Sequence, residues 1–326
     1  MKKVLTIAVL LAFGLVMISH GASAGEEKFP SRSINAIVPY AAGGGTDLLA
    51  RAVEKVWQKY SPQPWLVINK PGGGGVVGTE GVVRSKPDGY TIYIGYGSGN
   101  DTILPHLQKL PYDPSKDLVG LVRLSSHAIV LVTGATSPYK TLPEMVAWAK
   151  KENKPFTASI PIRAGVNDIT ITALGKMVGV KIVTVPFSGA AESVIALAGG
   201  HVMIGSGNPS EVMPHIKAGR FRALAVATPE RDPSLPDTPT LKEVGVDIPW
   251  GTILKGVAAP AGTPKEVIAY YETTLKKVCE DPEFKKIMAS LYQPILYQNS
   301  ADFGRFFKET TAEYGKLLKD LNITLQ

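Results

Sequence analysis

The sequence predicts an α/β protein of two lobes that face each other across a cleft. Short apolar runs, which are typical of buried strands, alternate with amphipathic helical patterns along most of the 326 residues. Many of these runs end in glycine-rich or small-residue loops. The alternation stops at a proline-rich connection, residues 110–118, and starts again near residue 156. Two α/β lobes joined by two crossings are the simplest architecture that fits these observations.

The first 24 residues have the pattern of a cleaved signal peptide. Lys2 and Lys3 form a basic start, residues 4–19 are apolar, and Ala22-Ser23-Ala24 resembles a cleavage site. An N-terminal membrane anchor is the alternative, but the apolar run is short for a spanning helix. Cleavage after Ala24 would leave 302 of the 326 residues, which is enough for two domains. We therefore expect an exported protein.

Composition and charge exclude some classes of partner. The formal net charge of +7 falls to +5 without Lys2 and Lys3, and no block of lysine or arginine is present. We therefore expect no nucleic-acid partner, while the mild basic excess suits anionic ligands. Cys279 is the single cysteine, so no internal disulfide can form. Export without disulfides points to a periplasm.

The segment 34–51 predicts a strand, a glycine turn and a helix. Its apolar run closes at Pro39, and Gly43-Gly44-Gly45 form the turn. Thr46 or Asp47 is expected to cap the helix that follows. A bare glycine turn at the start of a helix leaves several backbone N–H groups without partners, and this predicts an anion site.

Two further units repeat this arrangement. Residues 65–68 predict a strand, which leads into a glycine loop at 69–75 and a helix. Residues 90–94 predict a third strand, which ends in the small-residue loop 95–100. Because the carboxyl ends of parallel strands meet at one edge of a sheet, the three loops should converge on one rim.

The second half of the chain has the same pattern. A β-rich run at 127–132 and a capped helix at 142–150 precede a series of strands, each with a polar or small-residue loop. These strands are predicted at 156–160, 183–187, 202–204 and 221–227. Proline is dense from 228 to 240, which indicates a crossover linker. A strand at 253–258 and amphipathic helices at 264–280 and 301–321 then close the chain.

This order of elements gives the expected domains. The first domain comprises residues 25–124 and 251–326, and the second comprises residues 125–250. The crossings are expected near Leu124–Ser126 and Pro249–Thr252. Two lobes joined in this way can hinge, and a ligand that contacts both would stabilise the closed state.

Enzyme motifs are mostly absent from the sequence. The glycine loops lack the spacings of a P-loop and of a dinucleotide fingerprint, and no H-E-x-x-H motif or nucleophile elbow is present. The histidines of the mature chain stand apart from one another without ligand spacing. We therefore expect no cofactor and no metal, and we rank a binding protein ahead of an enzyme.

Loop residues at the predicted rims are candidate ligand contacts. Asp47 can cap its helix or bind a ligand group, and Tyr40 can line a pocket or pack beneath its loop. Arg163 is either a surface arginine or a bidentate clamp for a carboxylate. Small polar side chains that can donate to a carboxylate follow other strands. They are Ser98, Asn100, Ser188 and Asn208.

Motifs in many segments also resemble those of one family, in the same order along nearly the whole mature chain. The matching segments include Ile37–Gly44 (IVPYAAGG), Asn69–Gly75 (NKPGGGG), Pro87–Thr91 (PDGYT), Leu110–Pro114 (LPYDP), Val185–Gly189 (VPFSG), Met213–Arg220 (MPHIKAGR), Pro236–Thr240 (PDTPT) and Ala259–Pro264 (APAGTP). The chain resembles the tripartite tricarboxylate transporter receptors, which are Bug-type extracytoplasmic solute receptors.

The resemblance implies a type II-like periplasmic binding protein that closes on a small organic carboxylate. It further implies delivery of that ligand to two integral membrane permease subunits, and we expect the receptor to be a monomer. In the family the first two glycine-rich loops hold one carboxylate. The corresponding candidates are Ala42, Gly43, Gly44, Gly45, Thr46, Asp47, Gly74, Gly75 and Val76. The loops of the second lobe would read the distal end of the ligand.

The second lobe departs from the family pattern. Ser159–Gly165 (SIPIRAG) stands where relatives usually have a Gly/Ser-rich loop, and this adds Ser159 to the candidates beside Arg163. Gly205–Asn208 stands where many relatives have an acidic residue. Loss of that acid argues against a ligand ammonium group. The isoleucines beside Arg163 favour a dicarboxylate or an aromatic carboxylate.

Two other functions use the same features. A periplasmic ligand sensor for a signalling system would need the same cleft and would differ only in its partner. An exported enzyme is disfavoured because nucleophile–base pairs and metal ligands are missing from the sequence.

Overall fold

The computed structural model describes residues 28–152, 155–248 and 252–325. The predicted signal peptide and residues 249–251 of the predicted second crossing lie outside these ranges. The described residues form helices on two separate sheets, so the predicted α/β class is confirmed. None of the described helices is both long enough and apolar enough to cross a bilayer.

The first sheet has the strand order β11-β4-β10-β3-β1-β2. Its strands are β1 (Ile34–Val38), β2 (Trp65–Asn69), β3 (Thr91–Tyr96), β4 (Leu118–Ala128), β10 (Thr252–Pro260) and β11 (Ile295–Gln298). Strand β1 pairs in parallel with both β2 and β3, as the repeated units predict. The loops after these strands therefore lie at one edge of the sheet.

The second sheet has the strand order β7-β6-β8-β5-β9. Its strands are β5 (Val130–Gly134), β6 (Phe156–Ile160), β7 (Ile182–Pro186), β8 (Ile204–Gly207) and β9 (Phe221–Val226). Strand β6 pairs in parallel with β7 and β8, while β5 is antiparallel to β8 and β9. The loops after β6, β7 and β8 therefore share an edge, as they do in the first sheet.

Helices cover the faces of both sheets. In chain order they are α1 (Gly45–Trp57), α2 (Val76–Val83), α3 (Gly99–Thr102), α4 (Leu104–Leu107), α5 (Leu142–Glu152), α6 (Val166–Val178), α7 (Ala190–Ala198), α8 (Pro209–Lys217), α9 (Lys265–Glu280), α10 (Pro282–Ser290) and α11 (Ser300–Asp320). A single turn of 3₁₀ helix at Gly73–Gly75 precedes α2.

The core of the first sheet explains why the opening unit folds as predicted. Leu49, Val53 and Val56 on α1 are fully buried, because their spacing places them on the face that covers the sheet. The rings of Trp57 and Trp65 lie 4.7 Å apart, which joins the end of α1 to the start of β2. This packing fixes the glycine turn at the opposite end of the helix.

The last helix belongs to two cores. Phe303 and Phe307, near the start of α11, pack with Tyr96 of the first sheet. Tyr314 and Leu318, near its end, join the core of the second sheet. The assignment of residues 251–326 to the first domain remains a prediction, and α11 is the element that bridges the two cores.

Several predicted boundaries were wrong. The predicted run 127–132 is divided between the end of β4 and the start of β5. The connection predicted at 110–118 agrees with the structure to within one residue, since β4 begins at Leu118. Residues 124–126, where the first crossing was predicted, lie inside β4 and remain paired with β10. The chain changes sheet at Ile129. Because the residues on both sides of this point are mostly apolar, the sequence does not show where the chain leaves the first sheet. Helix α10 and strand β11 were not predicted.

Candidate functional site

The facing edges of the two sheets enclose a cavity of about 80 Å³. The loops after β1, β2 and β3 form one wall, which we call the first rim (Tyr40–Ala41, Gly44–Asp47, Gly74 and Ser98–Asn100). The opposite wall is the second rim (Pro161–Asn167, Gly189–Ala190, and Asn208 with Glu211). Leu104, Ile253 and Lys255 complete the lining.

Three helices begin at this cavity with a glycine in the N-cap position. The glycines are Gly44 before α1, Gly165 before α6 and Gly189 before α7, and none supplies a side-chain cap. A glycine N-cap leaves the first amides of a helix to bind an external acceptor. The positive ends of three helices from both sheets therefore point to one enclosed space, and this arrangement favours an anion.

An acidic residue braces each of these three turns in the same way. Asp47 accepts a hydrogen bond from the Gly43 amide (2.9 Å), and Asp168 accepts one from the Ala164 amide (2.7 Å). In the third turn the amide of Ser188 donates to Glu192 at 3.3 Å. Each acid is the third residue of its helix and bonds the residue before the cap glycine. The repeated G-x-x-[DE] pattern holds the turns open without occupying the cavity.

Asp47 is the most heavily bonded of these acids. It also accepts hydrogen bonds from Arg51 (Nε, 3.1 Å) and Asn69 (Nδ2, 3.0 Å). Burial alone would raise the pKa of Asp47, but the Gly43 amide, Arg51 and Asn69 outweigh this and lower it. The cap predicted at Thr46 or Asp47 is wrong, since Gly44 occupies the N-cap position. Asp47 lines the cavity and its oxygens hold the first rim together.

A chain of buried hydrogen bonds supports the other half of the first rim. The Tyr40 hydroxyl lies 2.6 Å from Ser98 Oγ and donates to Asn100 Oδ1 at 2.6 Å. Tyr93 donates to Asp101 Oδ2 at 2.8 Å, and the Gly97 amide donates to the same oxygen at 3.0 Å. Burial raises the pKa of Asp101 to about 8. Tyr40 thus lines the cavity, as predicted, and is held there by Ser98 and Asn100.

Lys255 on β10 places an ammonium group at the cavity. Its side chain is 1% exposed, and Nζ has no hydrogen-bond partner among the described residues. Burial lowers the pKa of Lys255 to about 7, and the nearby charge of Glu211 opposes this shift. A buried ammonium without a partner is costly, so its position at a cavity wall suggests a role in binding.

Glu211 is the acidic side chain of the second rim. Its Oε1 accepts the Gly45 amide at 3.1 Å and Asn208 Nδ2 at 3.0 Å, while Oε2 accepts the Asn208 amide at 2.8 Å. Gly205–Asn208 contains no acid, as the sequence shows, but Glu211 supplies one to the same wall. Glu211 is three residues after Asn208, the last residue of the segment compared with relatives, and three N–H groups already donate hydrogen bonds to its carboxylate.

The two rims touch in this structure. Besides the Gly45–Glu211 hydrogen bond, a Cβ atom added at Gly99 would lie 2.8 Å from the Gly165 Cα. A Cβ atom added at Gly45 would lie 2.5 Å from Lys255 Nζ and 2.8 Å from Asn208 Nδ2. A side chain at position 45 would therefore displace the ends of Lys255 and Asn208 from the contact between the walls.

Most of the predicted site residues lie at the cavity. Those that line it are Tyr40, Gly44, Gly45, Thr46, Asp47, Gly74, Ser98, Asn100, Arg163 and Asn208. Gly75 and Ser188 instead line an outer pocket of about 680 Å³. Ala42, Gly43, Val76 and Ser159 line neither space. The Ser159 side chain is buried beneath Gly205 within the second sheet.

Arg163 lies at the boundary between the cavity and the outer pocket and lines both. Its side chain is exposed and makes no hydrogen bond or ion pair within the described part of the chain. The guanidinium is therefore free to meet a ligand group. The predicted bidentate clamp remains a hypothesis.

Sequence reasoning missed Lys255, Glu211 and Asn167. A lysine inside the apolar strand run Ile253–Val257 was a usable signal, because a charge in a buried strand needs a function or a partner. Glu211 follows the Asn208 cap at capping-box spacing, which also was visible. Asn167 donates to Ser206 at 3.1 Å and carried no signal beyond an ordinary loop. Across 28–152, 155–248 and 252–325, no three His, Cys, Asp or Glu side chains form a metal site.

Known proteins resemble this chain over nearly its whole length. The family model described as "Tripartite tricarboxylate transporter family receptor" matches residues 49–323. The UPF0065 protein in the gbd 5' region of Cupriavidus necator is 32% identical over 316 residues, which cover 97% of this chain and 95% of that protein. The family match begins after β1 and the first glycine turn, while the match to the Cupriavidus protein covers nearly the whole chain.

Solved structures agree with the sequence matches. The periplasmic binding protein BugD has a TM-score of 0.85 and 28% identity, covering 91% of this chain and 100% of the other. The R. palustris protein Rpa4515, solved with adipate, has a TM-score of 0.84 and 25% identity, covering 91% and 99%. The family and these relatives are solute-binding receptors rather than enzymes. The chain belongs to the tripartite tricarboxylate transporter receptor family.

Proposed function

We propose that this receptor captures a small organic carboxylate between its two rims and delivers it to the membrane subunits of a tripartite tricarboxylate-type transporter. The observation that carries the proposal is the convergence of three glycine-capped helix N-termini on one enclosed cavity. A carboxylate supplies the acceptors that the cap glycines lack.

A dicarboxylate is the favoured ligand class. The wall opposite the first rim combines the apolar side chain of Ile162 with the free guanidinium of Arg163, which can meet a second anionic end. An amino acid fits less well, because the Gly45 and Asn208 nitrogens already occupy the Glu211 carboxylate. A relative solved with adipate supports the same class.

Calorimetry on the purified mature receptor tests the ligand class. The panel pairs succinate, malate, adipate and benzoate with their amides, preceded by native mass spectrometry to detect any ligand carried through purification. We expect micromolar or tighter binding of at least one dicarboxylate, and binding at least tenfold weaker when one carboxylate becomes an amide. Equal affinity for an acid and its amide would contradict the proposal.

Delivery requires export and a membrane partner. We propose cleavage after Ala24 and release into the periplasm, so the mature protein should start at Gly25, which N-terminal sequencing can check.

Proteoliposomes that contain the two permease subunits should take up labelled dicarboxylate only when the receptor is added. Uptake that is independent of the receptor would argue for the sensor alternative.

The two sheets should also move relative to each other. We propose that the predicted domains, residues 25–124 with 251–326 and residues 125–250, act as hinged units of a monomer, with the first extended to the end of β4 at Ala128, because the cavity is enclosed by rims from separate sheets. Small-angle scattering should show compaction when the ligand is added. An unchanged radius of gyration would count against the hinge.

A further inference from the structure

The ammonium of Lys255 is unusual among the charged groups at the cavity. Asp47 and Glu211 have their oxygens occupied by several N–H groups, and Arg163 is exposed to solvent. Lys255 alone is both buried and, among the described residues, without a hydrogen-bond or ion-pair partner. The buried ammonium therefore lacks a hydrogen-bond acceptor within the described residues.

The backbone directs Lys255 into the site. Strand β10 pairs with β4 along its whole length, and Lys255 lies opposite Ser125 in this register. Ile253, two residues earlier and thus on the same face, also lines the cavity. The paired strands fix the backbone of Lys255, and its side chain is 1% exposed, so the ammonium lies inside the protein at the cavity wall.

The surroundings of Nζ repel a positive charge. Nζ lies beside Gly45, the first residue of α1, where the helix dipole is positive. His127 on β4 is buried on the same face of the strand pair, and burial with the Lys255 charge keeps its pKa well below the ordinary value. Glu211 is the acid whose charge acts on Lys255 most directly, and no ion pair joins the two. An added anion would therefore gain from the Lys255 ammonium and from the positive end of α1, while the Glu211 carboxylate opposes it.

We propose that Lys255 is a direct ligand contact, and that its ammonium binds a carboxylate group of the ligand from the floor of the cavity. This inference rests on the proposed function and names the group that supplies the positive charge of the site. The three glycine-capped turns would then contribute N–H donors around the same anion, and Glu211 would hold the second rim against Gly45.

Proton uptake follows from this contact. With the pKa of Lys255 near 7, much of the amine in the free receptor is neutral at pH 8. A bound carboxylate favours the ammonium, so binding at pH 8 should draw a fraction of a proton from solution, and less at pH 6. Tyr40, Asp47, Arg163 and Glu211 are the other titratable groups that line the cavity, and His127 lies on the same face of β4.

The first experiment compares Lys255→Met with Lys59→Met by calorimetry against the succinate, malate and adipate panel. Both variants remove one positive charge, but Lys59 is on the surface, paired with Asp281 and Glu283. We expect Lys255→Met to lose roughly 100-fold in dicarboxylate affinity, the scale of a buried charge contact, and Lys59→Met to stay within about twofold of wild type. Lys255→Met binding within threefold of wild type would overturn the inference.

Two readouts separate binding from folding. Removing an unpaired buried charge should raise the melting temperature of the free receptor while abolishing its rise with ligand, whereas a structural lysine would lower it on removal. Calorimetry of the wild type in phosphate and Tris buffers counts protons without any variant, and no uptake at pH 8 would also overturn the inference. A wild type that binds no carboxylate would instead remove the proposed function and this inference together.

Discussion

The two rims of the cavity are built on the same local plan but differ in how firmly their side chains are held. In the first rim, Tyr40, Asp47 and Asn100 each have at least two fixed partners within hydrogen-bond distance. In the second rim, Arg163 has no partner within the described residues, and Ala164 adopts a positive φ of 55°. A preorganised wall can grip a common group, while a less constrained wall can adapt to the variable end of a ligand.

The difference arises in the turn itself. The first turn has Gly43 before its cap glycine, with φ 83°, and glycine adopts this conformation without strain. The second has Ala164 at the same place, and the Asp168 carboxylate accepts its amide and helps to hold the backbone in the left-handed region. The second turn therefore has a similar backbone conformation, but alanine adopts it at a higher cost in free energy than glycine does.

The largest effect is expected where the rims meet. Gly45→Ala adds a Cβ atom 2.5 Å from Lys255 Nζ and 2.8 Å from Asn208 Nδ2, so both side-chain ends must leave their positions at the cavity before the rims can meet. Dicarboxylate affinity should fall at least about tenfold, and scattering with saturating ligand should show a less compact particle. Gly81→Ala, in open space on α2, is the control and should change neither quantity. Normal compaction of Gly45→Ala would show that the rims need not touch.

The support of the first rim can be tested by its pH dependence. Folding raises the pKa of Asp101 to about 8, so its contribution to stability is present at low pH and is lost as pH rises through about 8. Between pH 5 and 7 the free energy of unfolding of wild type should fall by about 2 to 3 kcal/mol relative to Asp101→Asn. Urea unfolding of both proteins at the two pH values measures this. Parallel profiles would mean that Asp101 is ionised in the folded protein.

A smaller effect is expected from the hydroxyl that joins β1 to the loop after β3. Tyr40→Phe removes the hydrogen bonds to Ser98 and Asn100, which should cost about 1 kcal/mol of stability. Affinity should fall a few fold, because both partners line the cavity. Tyr297→Phe, whose hydroxyl donates to Glu272 O away from the cavity, should lose stability alone. If Tyr40→Phe and Tyr297→Phe bound the dicarboxylate with equal affinity, the hydrogen bonds of Tyr40 would have no role in binding.

The smallest effect is expected in the second rim. Arg163→Ala should weaken dicarboxylate binding only about twofold and leave monocarboxylate binding unchanged, because an exposed guanidinium is partly screened by solvent. Arg220→Ala removes another exposed arginine of the second half of the chain and serves as the control. Calorimetry with paired mono- and dicarboxylates measures both. If Arg163→Ala lost no affinity for the dicarboxylate, the clamp hypothesis would be rejected, and selectivity would depend on Lys255 and on the shape of the cavity.

The receptor family, the repeated strand–loop–helix units and the first rim could be predicted from the sequence, because each depends on local patterns. Glycines mark turns within a few residues, and apolar periodicity marks the strands that surround them. Ten of the predicted contacts, among them Tyr40, Gly45 and Asp47, line the cavity for this reason. The cap at Thr46 or Asp47 was misplaced because side-chain preference favours polar caps, and here the turn is left open by Gly44.

What only the tertiary structure decided is which distant residues share the cavity. Lys255 is more than 200 positions from Gly45 in sequence, yet its Nζ reaches the start of α1 because β10 returns to the first sheet between β3 and β4. Ser159 and Val76, in contrast, belong to the right segments but face away from the ligand space. Local sequence determines how a turn exposes its amides. Strand order and register determine which charge those amides meet, because they depend on pairings between segments far apart in the chain.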